Sequence, residues 1–271
     1  MVLLVMIALA MLSLSTIELR ASQNDRAMAE AQANARMALM LAIGELQKHS
    51  GSDTRVTARA DILDDNNPPL LGVWKSWQGD DHEKTGSFAG RPISIGNYTQ
   101  EKQNRFLAWL TSSYTDDPTT LPDTGKATHK VTLVGEGSVG NGAQSDKLQI
   151  HLEPTPVGES SKSGRLAWWI GGENQKARVP KPYTPDNNTV GRWASLAKSH
   201  TVADPKTFRL EPLLADAALA EKALTLRQAD LMGTPEADTE ALSREFFYDL
   251  SAVSVGLLTN TATGGWRKDL S

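Results

Sequence analysis

Hydrophobic positions are spread unevenly along this chain. Met1–Ile17 reads MVLLVMIALAMLSLSTI, with no charge, proline or glycine, and the first charged residues are Glu18 and Arg20. From Glu18 to Lys48 there is again no proline, and the only glycine is Gly44. Alanine, Met, Leu, Gln, Glu and Arg dominate this second stretch, and all favour helix. Apolar residues recur at helical spacing through Ile17, Ala21, Met28, Ala31, Ala35, Leu39, Ala42 and Leu46. His49-Ser50-Gly51 then supplies a stop, with glycine just past the last turn. The pattern predicts one unbroken helix about 70 Å long, apolar all round in its first third and striped beyond it. The stripe Met28, Ala31, Ala35, Leu39, Ala42 and Leu46 is the expected helix-packing face. Its small residues let another layer approach closely, whereas a long coiled coil would need Leu or Ile at sustained heptad positions.

After Ser50 the periodicity shortens. Asp64–Pro69 reads as a loop. Leu70–Trp77 is a strand candidate, and Arg105–Leu110 is a short helix or strand. Lys130–Glu136 and Lys147–Glu153 alternate as two strands around a glycine-rich turn. Arg165–Ile170 reads as a further strand, with Lys176–Val179 as its hairpin partner. Lys181–Asn188 is Pro/Asn-rich, and Pro212–Leu226 and Asp238–Leu250 read as helices. The expected fold is α+β: a long N-terminal helix, a small mixed β head and a C-terminal helical segment. The divisions fall at 1–17 (apolar helix), 18–50 (its amphipathic continuation), 51–180 (β-rich head) and 181–271 (helical and loop region).

A bilayer core of about 30 Å needs roughly 20 helical residues, and Met1–Ile17 reaches about 25 Å. Two readings follow: the chain begins downstream of its natural start and Leu3, Leu4, Ile7, Leu9, Leu12, Leu14 and Ile17 form a membrane anchor, or the segment is a buried core helix. The apolar run at the very N-terminus favours the anchor.

Composition narrows the chemistry. The net charge of −4 over 271 residues leaves no basic footprint for nucleic acid. Cysteine is absent, which removes disulfides, thiolate metal sites and cysteine nucleophiles. Gly135–Gly140 matches GxGxxG after an apolar strand, but a second strand rather than a helix is expected behind it, so the motif reads as a hairpin turn. Asp80-Asp81-His82-Glu83 reads as a solvated loop, because consecutive side chains do not converge on one ion. No GxSxG element occurs and no His/Asp pair has a hydrolase spacing. The expectation is a protein that is not an enzyme and has no cofactor and no metal.

Seven tryptophans remain. Trp74, Trp77, Trp109, Trp168 and Trp169 lie in apolar segments and are expected to build the head core and its contact with the helix. In Trp168-Trp169 one ring should face inward and the other outward, as strand side chains alternate. Trp74, Trp77, Trp168 and Trp169 are the possible interface residues. Arg165, Glu173, Lys176 and Arg178 read as a surface ion-pair set.

The segment AEAQANARMALMLAIGELQKHSGSDTRVTARADI resembles the N-terminal region of PilX-type pilus-assembly proteins, most closely the large "Verru_Chthon cassette" group. LGVWKSW followed by RFLAWL, GRLAWWIGGENQKARV, and FFYDLSAVSVGLLTNTATGGWRKDLS resemble the same group in the same order. The resemblance implies a type IV pilin-like subunit, single-pass in the inner membrane, with its head in the periplasm or at the cell surface. Its implied partners are the membrane and other pilin-like or pilus-assembly subunits. No leader glycine, and no glutamate before Glu18, matches such proteins, so leader processing and filament assembly are not carried over. Members of the group also continue beyond the GGWRKDLS-like ending, so the chain is expected to be a fragment or a shortened relative.

Overall fold

A computed structural model describes residues 1–76, 98–113, 120–141, 145–158, 164–179, 225, 228, 242–252, 259–261 and 264–265. The expected helix is present without a break. α1 spans Val2–Ser50, 49 residues or about 73 Å. It ends where the Gly51 N–H donates to the Gln47 carbonyl at 3.0 Å. Gly51 keeps a right-handed backbone (φ −69°), so glycine is needed there for room: a Cβ would collide with the Gln47 carbonyl oxygen. Lys48 and His49 lie in the last turn, where the helix dipole favours positive charge.

The head is built on a three-stranded antiparallel sheet: β1 (Arg55–Arg59), β2 (Leu71–Lys75) and β3 (Phe106–Trp109), in that order. β1 was not expected from the sequence. The one-turn 3-10 helix Ala60–Ile62 follows it, and α2 (Tyr98–Arg105) precedes β3. β4 (Val131–Val134) and β5 (Ile150–Leu152) pair antiparallel, shorter than the alternation suggested. Between them run the one-turn helices α3 (Glu136–Val139) and α4 (Ser145–Leu148). The GxGxxG segment therefore sits in the connection of an antiparallel pair, which is not the βαβ setting a dinucleotide site requires.

Two expectations are corrected. Lys176–Val179 is not the hairpin partner of Arg165–Ile170. β7 (Arg165–Leu166) pairs with β6 (Thr155–Pro156), and Trp168–Ile170 bonds to Leu110–Ser112. With those backbone groups taken, β8 (Ala177–Arg178) pairs in parallel with β9 (Leu250–Ser251). The expected helix Asp238–Leu250 is described only from Leu242, where α5 (Leu242–Glu245) is a single turn. Tertiary bonds override helix propensity beyond it. The Asp249 carbonyl accepts from the Ala177 N–H at 2.7 Å, and its carboxylate pairs with Arg59 at 2.6 Å. Pro212–Leu226, apart from Thr225, lies outside the described residues.

The two faces of the sheet have different jobs. Trp74 and Trp109 join Val134, Val139, Ile150, Leu152 and Tyr248 in the main core, with Phe106 packed against it. Trp74 meets Phe106 edge-on at 5.2 Å and Trp109 at 5.8 Å. A register shift between Val73 and Trp74 inserts Leu107 as a bulge in β3. The bulge puts Phe106 and Trp109 on one face, which strict alternation would forbid. Leu71, Val73 and Leu110 form a second cluster with Leu107 and Ile170, and Leu46 of α1 packs into it. The sheet is thus filled by aromatic rings on one side and clamped by the base of the helix on the other.

Gly72 makes the aromatic side possible. A Cβ there would lie 2.5 Å from Trp74 Cη2 and 2.8 Å from Trp109 Cζ3. Gly72→Ala is expected to destabilise the fold by about 1–3 kcal/mol through overpacking, read as a lower midpoint in denaturant unfolding.

A second expected outcome concerns acid. His151 is buried on β5, with Nδ1 2.9 Å from Thr132 Oγ1 and Nε2 3.2 Å from Gln149 Oε1. Burial, with the Lys126 and Lys130 charges adding, pushes its pKa below the ordinary 6.5. The unfolded chain then binds the proton first, so stability present above pH 6.5 is lost as the pH falls below it. The melting temperature should drop between about pH 7 and about pH 5, and His151→Gln should flatten that slope.

Candidate membrane anchor and interaction surface

α1 divides by what covers it. The apolar window that qualifies it as a membrane span is 0% buried, and the helix is long and apolar enough to cross a bilayer. The seven anchor residues Leu3, Leu4, Ile7, Leu9, Leu12, Leu14 and Ile17 are between 46% and 72% exposed. The buried core helix that the sequence left open is not what the fold contains. At ~1.5–3 kcal/mol for each side chain, burying these seven would yield on the order of 10–20 kcal/mol.

The head begins to cover the helix near Asn34. Gly164, at the start of the β7 segment, has φ +86°, and a Cβ there would collide with the Asn34 side chain. The covered face runs through Asn34, Met37, Ala38, Ala42, Glu45, Leu46 and His49, with Ala38 and Ala42 the two buried positions. This differs from the expected stripe. Ala42 and Leu46 do meet the head, but Met28, Ala31, Ala35 and Leu39 are exposed, Met28 at 65% and Leu39 at 60%. The physical reason is the alanine content. Nearly every face of this helix offers small residues, so periodicity alone did not select the one the head uses. The exposed remainder, extended by Met40 and Ile43, is a second apolar face without a cover from the described residues.

The tryptophans also separate. Trp74 is a core residue, buried to 6%, and its indole N–H donates to the Lys102 carbonyl at 2.9 Å. Trp169 packs against the same core, edge-on to Tyr248 at 6.2 Å. Tyr248 in turn donates to the Leu148 carbonyl at 2.8 Å, and burial raises its pKa, so the phenol stays a donor. Trp168 points to the other side of its strand and lines a cleft between α1 and the head. Trp77 lies outside the described residues, as does Asp80–Glu83. Among the described residues, no group of three or more His, Asp or Glu is placed to hold a metal ion.

The cleft has a volume of about 500 Å³. Leu41, Glu45, Lys48 and His49 form its helix side, β3 and Thr111–Ser113 its sheet side, and Thr155, Leu166 and Trp168 its far wall. Glu45 is engaged by both Lys48 at 3.2 Å and His49 at 3.1 Å, so the helix wall is internally paired. Of the ion-pair set expected around Trp168, Lys176 meets Glu173 at 2.7 Å and also stacks over the Phe247 ring at 4.9 Å. Nothing in the sequence marked the cleft, because Thr111, Ser112, Ser113 and Thr155 form no motif and are brought together with the helix only by the fold.

No family model, no curated protein and no solved structure matches the chain.

The two helix faces give a direct test. Ala42→Leu places extra volume in the closed joint and should cost about 1–3 kcal/mol. Leu39→Ala on the open face should change unfolding stability by less than about 0.5 kcal/mol. Both are measured by denaturant unfolding of the full chain in detergent.

Proposed function

We propose that this protein is a membrane-anchored, pilin-like structural or assembly subunit of a type IV pilus or pseudopilus-like envelope system. It crosses the inner membrane once through the N-terminal part of α1, and its head stands in the periplasm or at the cell surface. The observation that carries the reading is the uncovered apolar window, continuous in one helix with a base that the head grips. The apolar side chains of the first third need lipid or neighbouring helices, and no described part of the head offers a substitute. Met28, Ala31, Ala35 and Leu39 supply a small-residue face on which a neighbouring subunit's helix can pack. On this reading the protein is not an enzyme, it uses no cofactor and its partners are lipid and like subunits. The residues named above for their resemblance to PilX-type proteins motivate the filament context.

One observation favours a second reading, an anchored glycan- or peptide-binding module: the cleft beside Trp168.

The test uses the full chain with liposomes and in cells. Wild type should float with vesicles and fractionate with the inner membrane. Leu9→Arg with Leu12→Arg should release it, since each central arginine costs roughly 2.5–3.5 kcal/mol on insertion. Single cysteines at Leu39 should form disulfide-linked copies in native membranes if subunits pack through the open face, and cysteines at Ala42 should not. Recovery of wild type in the soluble fraction contradicts the anchor. Membrane association without any Leu39 crosslink contradicts the assembly role.

A further inference from the structure

We propose that the cleft beside β3 accepts an extended polypeptide segment of a partner protein by strand addition. This goes beyond the anchoring role and does not rest on it. The case begins with the lining. Phe106, Leu107, Ala108 and Trp109 all border the cleft. Phe106 and Trp109 pack on the aromatic core side and Leu107 on the helix side, so the space they share borders the strand's backbone edge. β3 is the last strand of its sheet, and no described strand pairs with its outer side along Phe106–Trp109.

The hydrogen-bond pattern says which groups are open. Leu110 N–H donates to the Leu71 carbonyl at 2.8 Å, which makes Trp109 and Gly72 a non-hydrogen-bonded pair. The Trp109 N–H and C=O therefore point away from β2, and no described residue bonds to them. Further along, a second segment flanks the chain on the side that β2 occupies. Ser112 N–H donates to the Trp168 carbonyl at 2.9 Å, and Ile170 N–H donates to the Leu110 carbonyl at 3.1 Å. Leu110 N–H already faces Leu71, so its carbonyl does too, and this segment ends against the start of β2, where Leu71 Cδ1 lies 3.1 Å from the Cβ position of Gly172. Thr111, like Trp109, therefore turns its N–H and C=O to the outer side, and an incoming strand would pair there.

The walls suit an extended peptide. Leu41, Leu166 and Trp168 offer apolar surface to an incoming strand's side chains, and Ser113 and Thr155 offer polar groups. Main-chain pairing would supply affinity and alternate side-chain pockets the selectivity. Trp109, nine-tenths buried, also carries an indole N–H with no partner.

The experiment follows the Trp109 amide by hydrogen exchange in the full-length chain held in lipid nanodiscs. The probes are a short peptide of alternating valine and threonine and the same peptide with a central proline. Without peptide, the Trp109 amide should exchange quickly. The alternating peptide, at about millimolar concentration, should slow it by about tenfold or more. The proline peptide should not, because it lacks a donor and breaks the strand. Ser113→Trp, which fills the cleft from a half-buried position, should abolish the protection while leaving the melting temperature unchanged. A Trp109 amide already protected in the chain alone would mean that the edge is occupied, and it overturns the proposal. So does an absence of protection by the alternating peptide, equal protection by the proline peptide, or protection that survives Ser113→Trp.

Discussion

One helix must satisfy two environments without a joint between them. The first third of α1 presents apolar side chains in every direction, and its last third is pressed against the sheet through Leu46, Leu71, Val73 and Leu110. With no proline and no break over 49 residues, whatever the tip enters is mechanically coupled to the head. Among the described residues, nothing covers the tip. The described residues leave exposed a tip that is long and apolar enough to cross a bilayer.

The rest of the head follows from holding that base. A sheet gripped by a helix on one face needs a core on the other, and the aromatic cluster of Trp74, Phe106 and Trp109 provides it. Gly72 leaves room for the rings, and the bulge at Leu107 turns two aromatic residues to one side while sending a leucine to the other. Arg59 then ties the sheet to Asp249, just before β9. Burial alone would lower its pKa, but the neighbouring Asp249 and Asp61 carboxylates outweigh that and raise it. The β6–β7 hairpin region extends the grip along α1 as far as Asn34.

Much of this was legible in the sequence where one physical signal dominates. The long helix is written in its lack of breakers and β2 in a short apolar run, whereas the run that forms β3 left helix and strand open and directly follows α2. Trp168-Trp169 splits between cleft and core as strand alternation requires. β1 was missed because RVTAR carries two arginines, and one of them, Arg59, is held between Asp61 and the distant Asp249. The Lys176–Val179 pairing was misassigned because its true partner lies some seventy residues further on, at Leu250–Ser251. The covered face of α1 was only half read, since alanine on all sides blurs the stripe. The open edge of β3 has no sequence signature at all: it follows from which strands pair, with β3 last in its sheet among the described residues.

The central claim is that α1 is a continuous rod with its apolar end in lipid and its base on the head. A nitroxide scan with single cysteines along positions 3–46 tests it most directly, in a chain that has no cysteine of its own. In bilayers, oxygen accessibility should be high on all sides through Ile17. It should then give way to a helical period in which Ala38 and Ala42 are shielded and Leu39 is open, with no interruption between. Water-soluble reagent reaching the labels at Leu9 and Leu12, or a loss of helical period near Glu18 to Arg26, would contradict it.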